Sequence, residues 1–195
     1  MTIALNRTMT LEEYLAYDDG TDKPCELVEG VLIKMGAERD LNNRIALFLL
    51  MVFSRFVPLN QLRNKTEVET PSRLATSRYP DFVVLTSQGS AAISDASRSM
   101  VRLTMPTPAL VGEVVSPGKE GSENHNRDYI EKRREYAARG IPEYWIIDPD
   151  RQVVLILVLV GKTYQEQQFT GEATIVSPTF PELQLTATQV LNAGQ

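Results

Sequence analysis

The chain is poor in the residues that build covalent staples and imidazole sites: 195 residues contain one cysteine, Cys25, and one histidine, His125. A single cysteine excludes an internal disulfide and a cysteine-based zinc cluster. A single histidine excludes any site built on two imidazoles. Long apolar runs are also missing. The longest, Val153 to Val160 (VVLILVLV), is far too short to cross a bilayer as a helix. The opening MTIALNRTMT lacks a charged start followed by an apolar block, so no secretory signal is expected and the chain reads as cytoplasmic. Positive charge is in deficit, with 20 Lys+Arg against 25 Asp+Glu and a net charge of −5. That balance does not suit a protein that coats nucleic acid by charge alone. It leaves room for an enzyme that meets a phosphate through a local basic patch and a metal ion. The carboxylate surplus fits a divalent-cation site, and it fits equally a surface acidified for solubility.

What remains is ordinary for a folded chain. Hydrophobic residues make up 43% and charged residues 23% of the sequence, which excludes global disorder and fibrous or mucin-like classes. No linker or repeat divides the chain, so residues 1–195 are expected to form a single domain. Thr10 followed by Glu13 in TLEEYLAY is a capping-box pattern that predicts a short helix. DDGTDKP reads as a loop, and CELVEGVLIKM as a β-hairpin turning at Glu29-Gly30. From Arg39 to Val57 apolar residues recur at helical spacing, and Pro58 ends the helix.

NKTEVET, YPDFVVLT and PALVGEVVS then read as three strands, the apolar run Phe82 to Leu85 suiting burial on both faces. The Ser/Ala-rich stretch from Ser87 to Met105 reads as a surface loop. A helix follows over Glu123 to Arg139 with Gly140 as its cap, then the strand PEYWIID. QVVLILVLV and KTYQEQQF continue as antiparallel strands, and TATQVLN closes the chain with a turn or two of helix. The expected class is α/β, in the α+β sense of one mixed sheet: an αβββαβ core with an N-terminal hairpin and C-terminal antiparallel strands.

Three features carry chemistry. Asp81 stands at the head of a buried apolar strand after Pro80, where a carboxylate is costly unless solvated, paired or bound to a cation. A simple turn aspartate would look the same. Glu113 interrupts the apolar strand ALVGEVVS. Alternation puts it on one face with Val111 and Val115, so a positive partner is expected close by. Asp128, Lys132 and Tyr136 are spaced four apart on one helical stripe, which also describes an ordinary intrahelical ion pair. Together, two carboxylates at adjacent strand ends and a lysine on the next helix can form a phosphodiester-cleaving centre. Asp81, Glu113 and the backbone carbonyl of Val114 are the expected ligands of Mg2+ or Mn2+, with Lys132 opposing negative charge. Glu26, if it points inward, adds a ligand for a second cation. His125 reads as a surface or phosphate-adjacent residue, Cys25 as a strand residue, and Tyr144 and Trp145 as core. GKEGSENHNR lacks a phosphate-loop pattern and reads as a flap following Glu113.

RYPDFVVL, LVGEVVSPG and RDYIEKRREYAARGIPEYWIIDPD, with TLEEYLAY and CELVEGVLI, resemble the restriction-endonuclease-like proteins of bacteria within the PD-(D/E)xK nuclease superfamily. The resemblance spans nearly the whole chain. It implies that Pro80-Asp81 is the PD element, Glu113 the second acid, and Glu26 a family glutamate. The superfamily's lysine two residues after the second acid is here Val115, and Lys132 on the following helix takes its place. A histidine frequent near the start of the first core helix is replaced by Asn42 and Asn43.

The implied function is metal-dependent endonucleolytic hydrolysis of DNA by Asp81, Glu113 and Lys132, with Glu26, Asp128 and Tyr136 in support and no organic cofactor. A catalytically silent binding or assembly module is the alternative, suggested by Val115 and the acidic charge. A two-carboxylate glycosidase leaves Lys132 without a role. The apolar hairpin after Asp150 offers a surface for a homodimer.

Overall fold

The computed structural model describes residues 8–18, 20–21, 24–193 and 195. The first seven residues and Asp19, Asp22 and Lys23 of the expected DDGTDKP loop lie outside that description. Thr10 caps α1 (Leu11–Leu15): its hydroxyl accepts from the Glu13 N–H while the Glu13 carboxylate accepts from the Thr10 N–H. β1 (Cys25–Val28) and β2 (Val31–Lys34) pair as an antiparallel hairpin. Glu29 and Gly30 turn it at φ 48° and 77°, the left-handed pair such a two-residue turn needs. The helix expected over 39–57 is α2 (Asp40–Phe53), which ends four residues early in turns that lead to Pro58.

The short strands β3 (Leu62–Arg63), β4 (Glu67–Thr70), β5 (Thr76–Arg78) and β6 (Phe82–Val84) follow. Two elements then replace the loop expected over 87–105: helix α3 (Ser87–Ile93) and strand β7 (Met100–Val101). Thr86 is the missed signal, since its hydroxyl accepts from the Gly89 N–H and caps α3. Beyond β8 (Leu110–Val114), the expected helix over 123–139 is built from α4 (Glu123–Asn126), a π-helical turn (Arg127–Glu131) and α5 (Lys132–Arg139). Gly140 ends it at φ 79°. The remaining elements are β9 (Glu143–Asp148), β10 (Val153–Val160), β11 (Thr163–Phe169) and α6 (Ala187–Leu191).

The class is mixed α/β, but the strands form two mixed sheets where one was expected. The larger runs β11-β10-β9-β8-β6-β3, with β8 and β9 parallel; the smaller runs β2-β1-β5-β4-β7, with β4 and β7 parallel. NKTEVET therefore belongs to the smaller sheet, whereas the other two predicted strands lie side by side in the larger one. The chain passes from β5 to β6 through Tyr79-Pro80-Asp81. Pro80 has no N–H to give a ladder, so pairing breaks there and one sheet hands over to the other. Asp81 sits at that break.

The larger sheet is covered on both faces. Ile45, Leu49 and Phe53 of α2 pack with Phe180 and Leu183 onto Phe82, Val84, Trp145 and Ile156. Tyr136 and Ile141 pack onto Val83, Val111, Tyr144 and Leu155 on the other side. Val153 to Leu157 are thereby buried within the chain, and one edge of the sheet is β11, whose Gln165, Glu166, Gln167 and Gln168 are exposed. The apolar side chains of the hairpin expected to support a homodimer thus pack largely within the chain, while Val160 and most of the edge strand β11 stay exposed. Among the described residues no helix is long and apolar enough to cross a membrane.

Gly112 lies opposite Phe82 in the β6–β8 register, and a Cβ at this position would overlap the Phe82 ring. That ring is fully buried and packs on Phe53 at 6.0 Å between centroids, so it has no room to yield. Gly112→Ala is expected to lower stability by about 1–3 kcal/mol. Thermal unfolding reads this directly, and an unchanged midpoint would contradict the overlap.

Candidate active site

Asp81 and Glu113 are brought together by strand register. Phe82 pairs with Gly112 across the antiparallel β6–β8 ladder, so one step back along β6 sets Asp81 beside Glu113. The contact is tightened by two bonds: the Asp81 N–H donates to the Gly112 carbonyl at 3.1 Å, and the Val114 N–H donates to Asp81 Oδ2 at 2.6 Å. Alternation in β8 sends Leu110 and Val114 to one core and Val111 and Val115 to the other. Val115, at the superfamily's lysine position, is buried hydrocarbon.

The positive partner expected for Glu113 is Lys132, whose Nζ lies 2.9 Å from Glu113 Oε1, 3.1 Å from Glu26 Oε1 and 3.6 Å from Asp128 Oδ1. Tyr136 donates its hydroxyl to the same Glu113 Oε1 at 2.8 Å. Asp128, Lys132 and Tyr136 are all buried. In an unbroken α-helix a four-residue step overshoots a full turn by about 40°. The wider turn of Arg127–Glu131 offsets that drift, so three residues spaced by four reach one site; π turns recur at functional sites.

Arg78 is a member that sequence reasoning missed. It is fully buried, bonding Glu26 at 3.0 Å, Glu131 at 3.1 Å and both oxygens of Glu135 at 2.6 and 2.8 Å. Its only signal was its place in β5, two residues before Pro80. Glu26 also accepts from the Tyr79 N–H at 3.0 Å. Glu26 thus points inward, as the sequence reading required of it, with both oxygens engaged by Arg78, Lys132 and the Tyr79 amide. Asp128 pairs mainly with Arg127, at 2.8 and 2.9 Å, rather than with Lys132. His125 is half-buried and stacks on Tyr129 at 4.3 Å between centroids. The stretch expected as a flap is pinned by the Asn124 side chain on the Pro117 carbonyl and by Arg151 on the Gly118 carbonyl.

Glu26, Asp81, Glu113, Val114, Arg127 and Lys132 line a groove of about 1020 Å3. Among the described residues, no protein partner is found for Asp81 Oδ1 or Glu113 Oε2. Burial raises Asp81 to about 7, helped by Glu38 and Asp128 and opposed by the Val114 amide and Lys132. Burial raises Glu113 to about 8, with Asp81, Asp128 and Glu26 adding to the effect against Lys132. Glu26 behaves oppositely. Burial pushes it up, but Lys132, Arg78 and the Tyr79 amide outweigh that and hold it down at about 2. Lys132 stays charged: burial lowers it, and Glu113, Glu26 and Asp128 more than restore it.

The site is short of positive charge. With the exposed Glu38 and the part-exposed Glu131 left aside, five acids (Glu26, Asp81, Glu113, Asp128 and Glu135) face three cations (Arg78, Arg127 and Lys132), so the raised Asp81 and Glu113 keep protons near neutral pH unless further positive charge reaches them. Among the described residues no group of three or more His, Cys, Asp or Glu side chains could hold a metal ion by itself. Two carboxylates with a backbone carbonyl suit Mg2+ or Mn2+, hard ions that keep several waters, better than zinc.

A family model described as "Uma2: Putative restriction endonuclease" matches residues 11–188. Among solved structures, the chain is similar to "a putative nuclease belonging to DUF820" from Anabaena variabilis ATCC 29413, with 20% sequence identity and a TM-score of 0.72 over 96% of this chain and 99% of that one. At that identity the likeness shows a shared fold. No curated protein matches the chain.

Proposed function

This chain belongs to the Uma2 family, and from that premise we propose that its 195 residues act as one domain that hydrolyses DNA phosphodiester bonds with a divalent cation, Mg2+ or Mn2+. The observation that carries the reading is the meeting of Asp81, Glu113 and Lys132, from three separate segments, on one groove. Asp81, Glu113 and the Val114 carbonyl would hold the cation. When bound, it would neutralise phosphate charge and make a water more acidic.

The chain's own residues account for the rest. Lys132 remains protonated, so it opposes charge on the phosphate and does not act as a base. Tyr136 and Lys132 together fix one Glu113 oxygen and leave the other to the groove. Arg127 lines the groove and is aligned by both oxygens of Asp128, which places a guanidinium within reach of a phosphate.

The silent-module reading has one observation in its favour: Lys132 is almost fully buried and already bonded to Glu113 and Glu26. Plasmid cleavage with Mg2+ or Mn2+ separates the two. The wild type is expected to nick DNA only with the cation, and Glu113→Gln to lose about 10²–10³-fold in rate. Equal cleavage by both proteins would sink the enzyme reading.

A further inference from the structure

Asn42, on the first turn of α2, is almost fully buried. Its side-chain Nδ2 faces three acceptors: Glu38 Oε1 at 2.7 Å, the Val114 carbonyl at 3.1 Å and the Val115 carbonyl at 3.4 Å. Among the described residues its Oδ1 is buried without a hydrogen-bond partner. Such an orphan oxygen is costly to bury and asks for an explanation. The amide cannot turn over to relieve it, because Oδ1 would then meet a carboxylate and two carbonyls. The packing tolerates the unpaired oxygen and keeps an N–H on the carbonyl of residue 114.

Residue 114 is also gripped from the other side. Its N–H is held by Asp81 Oδ2 at 2.6 Å, so both polar ends of this residue are bonded to side chains. One of those side chains is a carboxylate of the proposed cation site. A carbonyl oxygen has two lone pairs. Asn42 engages one and leaves the second available to a cation.

We infer that Asn42 is a positioning residue, which clamps the Val114 carbonyl in the orientation that a divalent cation at Asp81 and Glu113 requires. This rests on the cation site proposed above. It assigns to α2 a part in that site which neither carboxylate supplies. Orienting groups behind a ligand typically change metal affinity 10–100-fold.

The test is Mn2+ titration of the full chain by calorimetry, alongside thermal unfolding in EDTA. Asn42→Leu keeps the volume and removes both the clamp and the orphan oxygen. Its affinity for Mn2+ is expected to fall 10–100-fold while its unfolding midpoint is not lowered. A purely structural asparagine would give the reverse, a lower midpoint with unchanged affinity, and that result overturns the assignment. Should Asn42→Leu fail to fold, Asn42→Ala decides: weaker Mn2+ binding supports the clamp, and wild-type affinity refutes it. Asp81→Asn separates the two ideas. If the wild type binds Mn2+, Asp81→Asn does not, and both Asn42 variants bind like wild type, the cation site stands and the role of Asn42 falls. If the wild type binds no Mn2+, both fall together.

Discussion

Asp81→Asn is expected to abolish cation-dependent cleavage and, in EDTA at pH 8, to make the protein more stable than wild type. The two effects have one cause. Burial first, then Glu38 and Asp128, raise the Asp81 carboxyl from 3.8 to about 7 in the folded chain. Between about pH 4 and 7 the folded protein keeps a proton that the unfolded chain has already released. Stability from this group therefore falls as pH rises through that window and is lowest above it. Asparagine cannot ionise, and its side-chain oxygen can still accept from the Val114 N–H. The variant should gain about 1–3 kcal/mol at pH 8, a shift of several degrees for a chain of this length, and nothing at pH 4. Saturating Mg2+ should recover the deficit in wild type alone, because a ligand bound only by the native state stabilises it. Melting curves from pH 4 to 9, with EDTA and with Mg2+, decide the matter. A lower midpoint for Asp81→Asn at every pH in EDTA would show that the carboxylate is a structural fixture instead of a strained ligand.

Much of this site was legible because its residues break local patterns. Glu113 interrupts a run of apolar residues, Asp81 follows a proline at the mouth of another, and Lys132 shares a helical stripe with Asp128 and Tyr136. Period and composition expose such anomalies without knowledge of tertiary contacts. The Glu29-Gly30 hairpin and the Thr10 capping box were legible for the same reason, since their bonds close within a few residues. What stayed hidden depends on partners distant in the chain. Arg78 looks like any strand arginine until the fold sets it against Glu26, Glu131 and Glu135, 52 to 57 residues away. Asn42 drew notice only as the residue standing where a histidine is frequent; its bond to Val114 spans 72 residues. The division into two sheets was hidden for a related reason. Pro80 announces a break in pairing, but only the partners of β4 and β6 show that the break separates sheets.

Lys132→Met should be the most damaging single change in the molecule. The side chain is 1% exposed, and its ammonium stands between Glu113, Glu26 and Asp128. Methionine fills the space but leaves those acids with fewer counter-charges in a buried setting, which typically costs about 3–5 kcal/mol. Arg78 and Arg127 continue to hold Glu26 and Asp128, so the loss falls chiefly on Glu113, which is raised to about 8 even beside Lys132 and is left unmatched when ionised above that pH. That localisation is itself testable. Lys132→Met combined with Glu113→Gln should recover more than half of the loss in a urea titration, whereas adding Glu131→Gln, a change at an acid whose side chain is 46% exposed, should recover none. Equal rescue by both would mean that the lysine neutralises the cluster as a whole. Lys132→Met should also lose about 10²–10³-fold in cleavage at a temperature where it remains folded. Near wild-type cleavage there would confine Lys132 to holding the acids and leave Arg127 as the cation that meets the phosphate.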